Sequence, residues 1–171
     1  MFGIFHLSIY FLEGKYEPLE IYVNCIIMKR RYQQFNNKRV IKELTVSERQ
    51  QCKELAKQVK YVGNPEHKQN PGDFVLTPPS GARPGKSLCD AVNIFSKRIA
   101  QSLLKLGLQK GLVSERYHGD WPQNIWSVTE KGEALEAQLD NKEQGTYHGY
   151  PMPESDPMAN EVIKRWKLSN G

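Results

Sequence analysis

Cys52, Leu55, Ala56 and Val59 recur at i, i+3, i+4 and i+7, the spacing of one apolar helix face. Thr45-Val-Ser-Glu48 precedes them as a capping box, so a helix is expected over about 46–60. Residues 73–77 form a short apolar run that reads as a strand, stopped by Pro78-Pro79. Leu88, Ala91, Val92, Phe95, Ile99, Leu103 and Leu106 then form one stripe. Together they predict the longest helix, about 88–106, with Ser87 and Asp90 as cap and Gly107 as its end.

Beyond Gly111 the period changes. Residues 112–117 read as a strand. Ile125–Thr129, the turn Glu130-Lys-Gly132 and Glu133–Leu139 read as a hairpin, in which Leu135, Ala137 and Leu139 alternate with Glu136 and Gln138. Residues 145–152 are a further extended piece. Ser155-Asp-Pro157 caps a last helix that carries Met158, Val162, Ile163 and Trp166 on one face. The expected class is α+β: N-terminal helices, then a small twisted antiparallel sheet, then a C-terminal helix.

The 171 residues suit one domain with a normal core, expected over 45–171. Residues 1–12 are uncharged and apolar. That run is too short to span a bilayer and lacks the flanks of a signal peptide. Residues 1–27 therefore read as a doubtful leader, with Met28 as an alternative start and 28–44 as a basic arm. No membrane association is expected. The net charge is +5; without residues 1–27, which hold one Lys and three Glu, it becomes +7. A basic balance favours an anionic partner, nucleic acid above all. Arg30, Arg31, Lys38 and Arg39 in the arm, Arg83 and Lys86 in the Pro/Gly-rich loop 78–86, and the base-stacking candidate Trp126 are the expected contacts. Cys25, Cys52 and Cys89 are sparse and form no CxxC, which argues against a disulfide framework or zinc site and fits a reducing cytoplasm.

No GxGxxG, P-loop or GxSxG motif occurs, and none of the four histidines forms an HxxxH or HExxH pair. No cofactor or metal is expected. His67 lies in Gly63–Phe74, where Pro65 and Pro71 each restrain the preceding Asn to extended backbone. His148 lies in Tyr-His-Gly-Tyr-Pro, beside Tyr147 and near Tyr150. Histidine exchanges protons near neutral pH. RNA cleaves at a phosphodiester when one group removes the 2′-hydroxyl proton, another protonates the leaving oxygen, and a cation steadies the phosphate. His67 as base or acid, Lys68 as cation, and His148 or Tyr147 as the complementary acid fill these roles. Glu136 is a further candidate, to orient a histidine or take a proton. The competing reading for each histidine is a solvated or loop-bonded ring.

The order of helix, His67-Lys68 loop, Gly72-Asp73-Phe74, long helix and hairpin resembles the colicin D-type tRNase toxin domains and the RelE-like small RNases related to them. The resemblance covers about residues 46–150. It implies a twisted antiparallel sheet and metal-independent RNA cleavage at a 2′-hydroxyl, with His and Lys beside a Gly-Asp-Phe step. Here Lys68 follows the histidine, and the interval to Asp73 is long for that family. The pieces Asn-Pro-Glu-His-Lys and Tyr-His-Gly-Tyr-Pro are also similar to bacterial and phage-borne proteins. The expectation is thus a small ribonuclease, toxin- or defence-like, acting on RNA such as tRNA and held in check by an inhibitor or immunity protein. The alternatives are a non-catalytic nucleic-acid-binding or regulatory module and a protein-interaction domain.

Overall fold

A computed structural model describes residues 39–81 and 85–169. The leader, most of the arm (with Arg30, Arg31 and Lys38) and Arg83 lie outside the described residues.

The first described helix, α1 (Val46–Gln58), begins with the expected capping box: the Thr45 hydroxyl accepts from the Glu48 amide, and the Glu48 carboxylate accepts from the Thr45 amide. Cys52 and Ala56 are its buried positions. The chain then enters β1 (Lys60–Tyr61). The helix expected over 88–106 is instead a 3₁₀ turn, Cys89–Val92, followed by α2 (Lys97–Gln109). Asn93 adopts a left-handed backbone (φ 62°), which interrupts the helix. Ser96 restarts it as N-cap, its hydroxyl accepting from the Ile99 amide. Its buried face is Ala100, Leu104, Gly107 and Leu108, while Phe95, Ile99 and Leu106 stay largely exposed.

Gly107 does not end α2. A Cβ there would overlap the Trp126 carbonyl oxygen and stand 2.8 Å from Ile125 Cγ2, so glycine lets the helix lie directly on the sheet. The stop comes at Gly111 (φ 73°), where the Gly111 and Leu112 amides donate back to Leu108 and Gly107 carbonyls. This is a Schellman closure.

The short pair β2 (Tyr117–His118) and β3 (Trp121–Pro122) leads into β4 (Asn124–Val128), β5 (Ala134–Asn141) and β6 (Thr146–Pro151). The expected hairpin is β4–β5, with Trp126 opposite Glu136 and Asn124 opposite Gln138. The main sheet has the order β1-β6-β5-β4. It is mixed: β1 runs parallel to β6, whereas β6–β5 and β5–β4 are antiparallel. The run 73–77, expected as a strand, belongs to the 3₁₀ turn Pro71–Phe74 and a left-handed Val75. Pro71 has no amide hydrogen for a ladder, and the turn buries Phe74 against Tyr61. Residues 112–117 make isolated bridges, Ile41 with Ser114 and Val113 with Ile125, before β2. The last helix, α3 (Pro157–Leu168), has the expected Asp156 cap and Pro157 at its first position.

The chain is α+β in three layers. Helices α1 and α2 cover one sheet face, burying Ile125, Leu135, Ala137 and Tyr147. Helix α3 covers part of the other, burying Trp126, Val128, Ala134 and Met152. Period-two alternation along each strand separates these sets. No described helix is long and apolar enough to cross a membrane.

Candidate active site

The sheet face opposite α1 and α2 is only partly covered by α3. Beyond that helix it carries Asn124, Glu136, Gln138, His148 and Tyr150, one polar side chain after another on three adjacent strands. The loop after β1 brings His67 onto this face. Its mount is built as the prolines require: Asn64 is extended (φ −135°, ψ 126°), its side chain accepts from the Glu66 amide at 2.9 Å, and Pro65 opens the turn Pro65–His67.

His67 stacks on Tyr150, with centroids 4.7 Å apart and planes at 24°. Its ring is nearly parallel to His148, at 6.3 Å and 11°. Each imidazole is oriented through Nδ1. For His67 the partner is the Ser87 carbonyl oxygen at 2.9 Å, so Nδ1 carries the proton and donates it. For His148 the partner is Asp140 Oδ1 at 2.6 Å. Both arrangements direct Nε2 chemistry away from the anchoring group. His67 is only 7% exposed. Burial holds its pKa below the ordinary histidine value; the Ser87 carbonyl works against this, and the nearby Lys86 and His148 add to the depression.

Beneath the rings lies a buried polar network. Glu136, fully buried, accepts from Arg39 Nε at 3.0 Å, from Arg39 Nη2, and from Asn124 Nδ2 at 2.6 Å. The Tyr150 hydroxyl accepts from Gln138 Nε2 at 2.8 Å and also bonds Glu136. Arg39 Nη2 reaches Asp156 Oδ2 at 2.8 Å, so the residue that caps α3 also anchors the guanidinium. Burial pushes the Glu136 carboxyl up, while Arg39 holds it down.

The structure brings His67, His148 and Glu136 to one face and takes other expected residues away from it. Lys68 is extended (φ −129°, ψ 135°), so its side chain leaves the backbone opposite to His67. Its ammonium is fully buried. It donates to Asp90 Oδ1 at 2.7 Å and the Ile94 carbonyl, pairs with Asp73 at 3.2 Å, and sits over the Phe74 ring. Tyr147 lies on the opposite sheet face, its hydroxyl donating to the Pro122 carbonyl; burial pushes its phenol pKa up. Arg39 faces Glu136 and Asp156 inside the fold, and Trp126 is fully buried under α3. Base stacking by Trp126 and phosphate contact by Arg39 are not open in this conformation. Lys86 is partly exposed and pairs with Glu66 at 3.2 Å.

Asp140 and the Ser87 carbonyl were not singled out from sequence, and Tyr150 was named only as a neighbour of His148, with the acid role given to Tyr147. In a strand, positions 148 and 150 share a face and 147 does not, so choosing His148 selects Tyr150 over Tyr147. Asp140 sits where the β5–β6 register shifts between Leu139 and Asn141, so alternation alone does not place it beside His148. Nothing in the local pattern marks the Ser87 carbonyl.

No protein-family model matches the chain, and no curated protein or solved structure matches it.

Proposed function

We propose that the protein is a ribonuclease that cleaves RNA by internal attack of the 2′-hydroxyl, with His67 and His148 as the acid–base pair and no required metal. The observation that carries this reading is the parallel approach of the two imidazoles at 6.3 Å on one polar sheet face. His67 is the base. Its Nδ1 proton is committed to the Ser87 carbonyl and its depressed pKa keeps Nε2 unprotonated near neutral pH.

Nε2 of His67 takes the 2′-hydroxyl proton, and the 2′-oxygen forms a bond to phosphorus. The bond from phosphorus to the 5′-oxygen breaks, and the departing oxygen takes a proton from Nε2 of His148. The products are a 2′,3′-cyclic phosphate and a 5′-hydroxyl. Asp140 fixes the His148 ring while it gives up that proton. Tyr150 stacks on His67 and is itself held by Gln138, which keeps the base from turning. The toxin or defence role, tRNA as target and an inhibitory partner are extensions of this reading.

The test is cleavage of a fluorescent RNA oligonucleotide in EDTA. The wild-type protein should cleave it, a 2′-deoxy substitution at the cut site should block cleavage, and His67→Ala should abolish it with the circular dichroism unchanged. Tight, salt-sensitive binding of a broad panel of RNAs without any cleavage would instead identify a non-catalytic binding module.

A further inference from the structure

With Lys68 and Arg39 committed to carboxylates inside the fold, the proposed reaction still needs a cation at its phosphate. The dipeptide Lys86-Ser87 lies against the site in a way neither residue type announces. The Ser87 carbonyl holds Nδ1 of His67, so Lys86 is one residue from the point that anchors the imidazole. Its ammonium pairs with Glu66 Oε2 at 3.2 Å, and Glu66 directly precedes His67. Lys86 is therefore tied to the His67 loop twice, along the chain through Ser87 and by its ion pair with Glu66. Its charge reaches the imidazole. The Lys86 and Glu66 side chains retain 39% and 21% of their exposure, so solvent and solutes have access to the pair. An ion pair this exposed adds little stability and exchanges readily.

We propose that Lys86 is the cation of a phosphate-binding subsite, in which it exchanges the Glu66 carboxylate for a phosphate held against His67 and His148. The assignment rests on the ribonuclease reading for the identity of the substrate, but the subsite itself is defined by these three side chains. Inorganic phosphate donates a P–OH to the unprotonated Nε2 of His67, the atom that takes the 2′-hydroxyl proton in the proposed reaction, and offers oxygens to His148 and to the ammonium. Glu66 then serves as a placeholder that keeps Lys86 beside the imidazole when no anion is bound.

The test uses inorganic phosphate as probe and the imidazole resonances of His67 and His148 as readout, at one fixed pH, in the whole protein. Phosphate should move both rings in the wild type. Lys86→Ala should weaken the response about ten- to a hundredfold, the loss of one charge-assisted hydrogen bond, and Lys86→Arg should restore most of it. Glu66→Gln, which frees the ammonium of its carboxylate, should tighten binding. The proposal is overturned if Lys86→Ala binds phosphate as the wild type does, or if phosphate leaves both rings unmoved. The two readings separate cleanly. Phosphate binding that depends on Lys86, in a protein that cleaves no RNA, upholds the subsite and removes the ribonuclease. RNA cleavage undiminished by Lys86→Ala upholds the ribonuclease and removes the subsite.

Discussion

The imidazole of His67 lies nearly parallel to that of His148, with planes 11° apart and centroids 6.3 Å apart, although one ring comes from a loop and the other from β6. Each is held by a different partner, the Ser87 carbonyl and the Asp140 carboxylate. Two separately anchored rings that converge on one sheet face form the arrangement an acid–base pair requires. His67→Ala and His148→Ala should each lower kcat by about 10²–10⁴-fold, the range for loss of one acid–base group. Single-turnover RNA cleavage with each variant checks this, and a variant that keeps full activity removes that histidine from the mechanism. The acid limb of kcat/KM should report His67 and fall below the ordinary histidine pKa of about 6.5, because burial disfavours its charged form.

The same burial gives a stability signature independent of activity. The folded-state pKa of His67 is depressed. Between about pH 6.5 and that lower value, the unfolded chain binds a proton that the folded chain does not. Stability from this group is therefore fully present above about pH 6.5 and is lost as pH falls through the folded pKa. Urea midpoints from pH 8 to pH 5 should drop more steeply in the wild type than in His67→Asn. Equal slopes would show that His67 titrates alike in both states.

Glu136 and Arg39 form a pair whose cost of disruption should be large. Glu136 is fully buried, and Arg39 binds it through two nitrogens while also reaching Asp156. Removing one member leaves a buried charge without its partner, which costs about 3–5 kcal/mol. Glu136→Ala and Arg39→Ala should lower stability by that order in chemical denaturation. Arg39→Lys should rescue little, because an ammonium cannot reproduce the forked contact. A loss below about 1 kcal/mol, the level of an exposed ion pair, would mean that water reaches the network.

What the sequence made legible follows from local physics. The capping box at Thr45 and the Asp156-Pro157 start of α3 are short-range hydrogen-bond chemistry, and both appear where the pattern puts them. The β4–β5 hairpin follows from alternation. The parallel β1–β6 pairing did not, because β1 has only two residues and its partner is remote in sequence. The 88–106 stripe misled for a related reason. Apolar spacing continues through Asn93 and Ser96, but a left-handed residue and a new N-cap divide the segment. At the site, the Asn64-Pro65 restraint was readable, and the turn that carries His67 opens on it. The direction of Lys68 was not, since it depends on acids at 73 and 90 folding back around it.

Lys68 itself yields a prediction about position. Its ammonium joins the His67 loop to the 3₁₀ turn Cys89–Val92 through Asp90, which also accepts from the Gln69 amide at 2.8 Å. The pair should hold His67 in place without touching a substrate. Lys68→Met and Asp90→Asn should each destabilise the fold, and their double-mutant cycle should show a coupling of about 0.5–3 kcal/mol. RNA cleavage by folded Lys68→Met should fall mainly through misplacement of His67, visible as a changed His67 ring resonance. Loss of activity with that resonance unchanged would return Lys68 to a direct role.

Gly107→Ala sets two effects of opposite sign against each other. In a helix interior alanine is favoured over glycine by about 0.8–1.0 kcal/mol, so propensity alone predicts a more stable protein. The added Cβ would overlap the Trp126 carbonyl oxygen and press on Ile125 Cγ2. A backbone oxygen in the middle of β4 cannot turn aside as a side chain can, so α2 must lift from the sheet. Overpacking of this kind costs about 1–3 kcal/mol, enough to cancel the propensity gain or exceed it. Helix α2 also packs against α1, so the displacement would be felt on both sides of the helix. The expected result is a lower thermal midpoint for Gly107→Ala, with Gly107→Val lower still. A raised midpoint in Gly107→Ala would mean that α2 lifts from β4 at less cost than the propensity gain.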